Sequence, residues 1–351
     1  RDRLTWDARF GVNTDWADHL RTVVAMQDSS SRRVGNSFLR NGVHRVRDNR
    51  YKEHSWQLGL QADKVLRHGD WSHRIVYGLD HVRSKITNLY DGQAPLPPES
   101  FPLKRFPDTT ETSTALFAQA ELHYGAFSLT PGVRAEHYSI KPKQQGFGGT
   151  AVSNSDSAVS PKLGAMFQMN DAWSVYGNYA AGFRAPNAGQ INAFFENPFM
   201  FYKSIPNPDL KAEKSNTFEL GLRGRMSALR LDAAVFTGRY KDFIQDQVQV
   251  AGQYGDRNNP AVFQSVNLNR VHISGFELKA DYDWGRFAGG NWRTNAAYGY
   301  TKGTGEDGQG LESISPHQLK LGLGQNAARW SWELTATHVG SKRKSDLPAQ
   351  T

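Results

Sequence analysis

Apolar side chains recur at every second position along much of this sequence, and the segments carrying that pattern are joined by connections that are short and long in strict turn. A period of two is the signature of strands with one greasy and one polar face; helices repeat at 3.6. Trp56, Leu58, Leu60 and Ala62 alternate with Ser55, Gln57, Gln61 and Asp63, and Leu116, Ala118, Ala120, Leu122 and Tyr124 alternate with Gln119, Glu121 and His123. About fourteen such segments are expected, near 1–11, 18–28, 51–65, 71–89, 112–124, 127–139, 157–170, 173–182, 213–226, 229–246, 262–284, 291–301, 315–325 and 330–341. Short turns fall at Arg67-His68-Gly69-Asp70, Gly125-Ala126, Asn170-Asp171-Ala172, Met226-Ser227-Ala228 and Asn326-Ala327-Ala328-Arg329. Long loops are expected at 29–50, 90–111, 140–156, 183–212, 247–261 and 302–314.

Tight turns on one rim and long loops on the other are the pattern of a bacterial outer-membrane barrel. Charges facing inward suit a wide barrel whose lumen holds water or a plug, whereas a soluble sandwich buries its inner face and mixes its loop lengths. Such strands need only about 9–11 residues each, so a mean hydropathy of -0.62 and the lack of any long uncharged apolar run do not argue against a membrane. Trp71, Tyr124, Trp173, Trp284, Trp292, Trp330 and Trp332 sit beside the short turns, where amphipathic rings meet a water–lipid boundary. The alternative is that these are ordinary strand-end aromatics of a soluble β protein.

A net charge of +8 favours an anionic partner without choosing one, and no basic helix or zinc-finger spacing points to nucleic acid. No Gly-Xaa-Ser-Xaa-Gly, phosphate-binding glycine loop or His-Glu-Xaa-Xaa-His motif supports an enzyme. The first ten residues show no export signal and residues 346–351 are a polar stretch without a closing strand, so sequence is expected beyond both ends.

The most specific stretch contains Gly182-Phe183-Arg184-Ala185-Pro186 and then Asn207-Pro208-Asp209-Leu210-Lys211-Ala212-Glu213 leading into Phe218-Glu219-Leu220-Gly221. Locally, Pro186 ends a strand, while Pro206 and Pro208 stiffen the return, so 183–212 should stand as an ordered lobe. Arg184 and Glu213 are expected to pair across its base. The two boxes resemble those of TonB-dependent outer-membrane receptors, with Ile273-Ser274-Gly275-Phe276-Glu277-Leu278 and Ser315-Pro316-His317-Gln318-Leu319 resembling later strands; the likeness covers roughly 112–341.

The resemblance implies an all-β transmembrane barrel of about 22 strands with an N-terminal plug that this chain lacks, in a monomer in the bacterial outer membrane. It sets the loop after the thirteenth strand. The loop follows the eighth segment here, so the fourteen segments count as strands six to nineteen. Residues 1–351 are thus read as partial barrel, and 183–212 as the extracellular ligand-binding loop.

Within the family, the spelling of both boxes together most resembles haem and haemoglobin receptors, in which the enclosed loop supplies an axial ligand to haem iron, commonly histidine. This sequence departs from that pattern, with no histidine between Pro186 and Asn207. It offers Tyr202, whose phenolate is a sound ligand for ferric haem. Phe194, Phe195, Phe199, Met200 and Phe201 would give the porphyrin an apolar bed; alternatively the loop packs these rings on itself. The resemblance implies haem or a haemoprotein as partner, a second axial ligand on the absent plug, energy delivered by TonB, and contact with membrane lipid and lipopolysaccharide. Arg32, Arg33, Arg40, Arg45, Arg47 and Arg50 surround His44 and suit haem propionates or lipopolysaccharide phosphates. A ferric-siderophore receptor of the same type is the first competing expectation, and a passive porin or adhesin the second.

Overall fold

A computed structural model describes residues 1–69, 71–96, 100–311, 314–315 and 317–342. Asp70, Pro316 and the polar end 346–351 lie outside the described residues. The wall is one antiparallel sheet. Its strands are β1 (Asp2–Gly11), β2 (His19–Phe38), β3 (His44–His68), β4 (Trp71–Gln93), β5 (Thr109–Tyr124), β6 (Phe127–Pro142), β7 (Asn154–Gln168) and β8 (Trp173–Arg184). The loop that follows holds α1 (Ala188–Asn192), β9 (Phe195–Asn197) and β10 (Tyr202–Ser204). The wall resumes with β11 (Glu213–Arg225), β12 (Leu229–Ala251), β13 (Ala261–Phe287), β14 (Gly290–Gly305), β15 (Gln318–Ala327) and β16 (Ser331–Val339). Each wall strand pairs with its neighbour in sequence, β8 pairing with β11, so all fourteen expected segments are wall strands.

Register makes one face continuous. Leu116, Ala135 and Val159 lie side by side across β5, β6 and β7. Leu163, Tyr179 and Phe218 follow across β7, β8 and β11, and Leu220, Val235, Phe276 and Tyr300 across β11 to β14. These side chains are open to the surroundings, Leu116 at 60% and Val159 at 67%. The other face carries charge: Arg134 bridges Asp80 at 2.7 Å and Glu136 at 3.0 Å, and Arg225 meets Asp232 at 3.0 Å. A one-residue slip of any strand would exchange the faces, so each register is specified by this alternation.

Among the described residues the short joints fall where expected, but β3 runs to His68 and β15 to Ala327, so those two turns are tighter than expected. In the two-residue turn between Tyr124 and Phe127, Gly125 takes φ 53°, a conformation that such tight hairpins require and glycine adopts without strain. Aromatics flank this rim: Trp71 stacks on Tyr124 at 4.4 Å, Phe287 on Trp292 at 5.2 Å, and Trp292 meets Trp332 edge-on at 5.5 Å.

Three expected loops are corrected. Residues 29–50 are mostly strand: β2 and β3 pair from Ser29↔Glu53 to Phe38↔His44, leaving a tip at 39–43. The 247–261 loop shrinks to 252–260, because β12 continues through two register shifts to Ala251. The 302–314 loop begins later, since β14 runs to Gly305. At about 3.3 Å per residue the 25 residues of β3 reach far past what a membrane needs, so the long-loop rim stands well clear of the apolar belt. There both faces are wet and the alternation that marks a strand fades.

The buried core lies at this rim. Tyr138, Ile140, Ile191, Leu210, Ala212 and Ile244 form one cluster, joined by Val152, Phe183 and Ala185.

Candidate functional site

The 183–212 segment is an ordered lobe fixed by its two boxes. Arg184 donates two hydrogen bonds to Glu213, Nε to Oε2 at 2.7 Å and a terminal nitrogen to Oε1 at 2.5 Å, so the expected pair is present. Glu213 Oε1 also accepts from the Ile244 amide at 2.7 Å, tying the loop base to β12. Phe183, Ala185 and Leu210 enter the core cluster, while the Asn207 side-chain amide donates to the Ser265 carbonyl at 2.8 Å and its oxygen accepts from the Asp209 amide at 3.0 Å. Pro186 and Pro208 punctuate either side. The boxes are therefore packing and capping elements of the lobe.

Helix α1 is one turn long and held at both ends. Asn187 caps it reciprocally with Gln190, and the Ala188 amide donates to Glu111 Oε1 at 2.9 Å. Asn192 exchanges two hydrogen bonds with Val152, at 2.7 and 2.9 Å. Strand β10 then pairs with β9 antiparallel and with β13 in parallel, Tyr202 opposite Ala261.

This frame sets the Tyr202 ring between two cavities. One, of about 370 Å³, is lined by Arg47, Arg105, Phe194, Phe195, Tyr202 and Gln247. The other, of about 770 Å³, is lined by Phe199, Phe201, Tyr202, Lys203 and Arg257 among others. Both volumes fall in the range of small-molecule sites, about 300–1,000 Å³. Tyr202 stacks on Tyr254 with centroids 5.5 Å apart, and Phe195 and Phe263 approach it at 5.9 and 6.0 Å.

The expected aromatic bed is divided. Phe194 packs edge-on against Phe147 at 5.8 Å and Phe195 lies under the Arg105 guanidinium at 5.0 Å, whereas Phe199 and Met200 remain exposed. Of the arginines around His44, Arg32 and Arg50 are engaged with Asp48, at 2.8 and 2.5 Å, and their hydrogen bonds hold its carboxyl below the usual range. Only Arg47 of that group lines the cavity, and His44 instead lies against Phe38 at 5.2 Å on the hairpin tip. Arg105 and Tyr254 were not legible in the sequence. Their one signal is a cation and an aromatic in long loops, which many residues share.

A protein-family model described as "TonB dependent receptor-like, beta-barrel" matches residues 1–351. This chain belongs to that family. TonB-dependent receptors are transporters of the bacterial outer membrane, so the apolar belt is the lipid-facing wall and the charged face lines the lumen.

Among curated relatives, Hemoglobin-haptoglobin utilization protein B of Neisseria meningitidis serogroup A is 29% identical over 189 residues, 48% of this chain and 23% of that protein. The Ferric enterobactin receptor PirA of Pseudomonas aeruginosa is 26% identical over 280 residues, 73% of this chain and 34% of that protein. The chain thus spans about a quarter to a third of these relatives. A solved structure of the Serratia marcescens hemophore receptor HasR, in complex with its hemophore HasA and heme, superposes with a TM-score of 0.71 at 15% identity, over 97% of this chain and 58% of that one.

The TonB-dependent receptor lobe carries a titrating anchor. Burial pushes Glu111 above its ordinary value of 4.5, the Ala188 amide opposes that shift, and nearby Glu53 adds to it. A raised carboxyl pKa means that the folded state holds more protons than the unfolded one across that interval, so stability is full below the ordinary value and declines as pH rises through the raised one. Hydrogen exchange at Ala188–Asn192, corrected for intrinsic rate, should therefore quicken from mildly acidic to neutral pH. Glu111→Gln should flatten the dependence; an unchanged slope in that variant excludes Glu111 as its source.

Proposed function

We propose that this barrel is the ligand-capturing part of a receptor that takes up haem, with 183–212 as its extracellular binding loop and Tyr202 as an axial ligand to ferric iron. The observation that carries the proposal is the Tyr202 phenol on the wall shared by two cavities, with aromatic rings on both sides and Arg47 and Arg105 in one of them. Phenolate oxygen suits ferric haem, the rings suit a porphyrin face, and guanidinium forks suit propionates. Relatives named for haemoglobin and haemoglobin-haptoglobin support a haemoprotein as the source. TonB would supply energy through a plug, with lipid and lipopolysaccharide around the wall.

The test uses the intact purified receptor and ferric haem. Tyr202→Phe keeps the ring and removes the oxygen; the expected result is loss of the ferric–phenolate spectral signature and haem binding weaker by on the order of tenfold or more, about 1.4 kcal/mol. An unchanged Soret spectrum and affinity would discard the ligand assignment.

A ferric-siderophore receptor is the second reading, supported by the similarity to the ferric enterobactin receptor over 73% of the chain. Arginines beside aromatic rings also suit an anionic iron chelate. Saturable binding of ferric enterobactin, with no Soret change on adding haem, would favour it.

A further inference from the structure

The loop between β4 and β5 delivers one cation to the smaller cavity and fixes it there. Its return stretch reads Leu103-Lys104-Arg105-Phe106-Pro107. Leu103 and Tyr90 exchange backbone hydrogen bonds at 2.8 and 2.9 Å, which folds this stretch back against β4. Asn88, 4% exposed, commits both ends of its side-chain amide to one dipeptide: its oxygen accepts from the Arg105 amide at 3.1 Å, and its nitrogen donates to the Phe106 carbonyl at 2.6 Å. A buried amide must find such partners, and here the partners pin a single backbone position. The Arg105 carbonyl in turn accepts from the Phe194 amide at 2.8 Å, so the same residue is bound to the lobe.

The side chain is held as well. The Arg105 guanidinium lies over the Tyr90 ring at 4.6 Å and over the Phe195 ring at 5.0 Å. Contact with ring faces leaves the N–H donors of a guanidinium unused. Among the described residues no carboxylate pairs with Arg105, which is exposed and lines the cavity of about 370 Å³. Neighbouring cations are engaged: Lys104 meets Asp108 at 2.6 Å, and Arg32 and Arg50 share Asp48. Phe195 also approaches Tyr202 at 5.9 Å, so one ring is neighbour to both the guanidinium and the phenol.

We infer that Arg105 is the specificity-determining residue of this cavity, an assignment that rests on the haem reading: it selects a flat ligand that carries a carboxylate at its edge. With iron at the Tyr202 oxygen, the ring face lies along Phe195 and a propionate meets the Arg105 fork, which takes both carboxylate oxygens at once. The guanidinium is ordered before the ligand arrives, so binding loses little rotamer freedom. An uncharged edge leaves those donors without an anion, and the cavity discriminates against it.

The test compares the intact receptor with Arg105→Met and, as a control for charge, with Lys141→Met, which removes an exposed cation of β6 that does not line the cavity. The probes are ferric haem and its dimethyl ester, titrated in one detergent, so that partition into micelles cancels when the preference for haem over the ester is compared between proteins. Wild type and Lys141→Met should prefer haem by on the order of tenfold or more. Arg105→Met should lose that preference and keep the ferric–phenolate signature of Tyr202. Hydrogen exchange across 187–207 should match wild type in Arg105→Met, since the backbone bonds at this position remain. Undiminished preference in Arg105→Met, or an equal loss in Lys141→Met, overturns the role of Arg105 and leaves the haem reading in place. A wild type without a Soret change on either porphyrin removes the haem reading and the role of Arg105 together.

Discussion

Leu210→Ala is expected to destabilise the 183–212 lobe by about 2–5 kcal/mol, the cost of an unfilled hole where a buried leucine stood. Leu210 is 1% exposed and packs with Ile191 and Ile244, so the hole opens where the loop, α1 and β12 meet. The wall needs no lobe to keep its ladder, so the loss should appear as faster hydrogen exchange across 187–207, with exchange in 216–224 unchanged. Phe199→Ala is the contrast: at 63% exposed it should leave lobe exchange near wild type. Equal protection in both variants would mean that the core cluster does not hold the loop.

The second large effect is on the wall. Leu220→Arg introduces a cation midway along β11 on the lipid-facing side, beside Val235, and should cost about 2–4 kcal/mol in reversible unfolding from lipid vesicles. Its neighbour Glu219 faces the lumen, within 3.4 Å of Asn178, so Glu219→Arg should cost far less. If the two substitutions cost the same, the assignment of faces fails.

How much of this was readable beforehand depends on which solvent each residue meets. Where lipid lies on one side and water on the other, every second residue must differ, and Leu116 to Tyr124 announced themselves. Beyond the belt both sides are water, and Ser29 to Phe38 form a strand without an apolar side to reveal it. The two boxes were conspicuous, and their visible chemistry, an arginine with a glutamate and an asparagine between prolines, proved to serve the seating of the lobe. The smaller cavity could not be read in the same way, because Arg47, Arg105 and Tyr202 come from separate connections and strands and meet only through pairing. Composition counted the excess of cations; only register showed that Lys214, Arg239 and Lys241 stand on the same face as the apolar belt.

The parallel rung that sets Tyr202 opposite Ala261 limits how its phenol can move. Backbone travel at this position requires rupture of a ladder shared with the wall, an event of microseconds or slower, whereas swinging the ring off Tyr254 needs only torsion about side-chain bonds. Motion of the phenol is thus rotameric, hinged on a stationary scaffold, and its oxygen sweeps an arc of fixed radius.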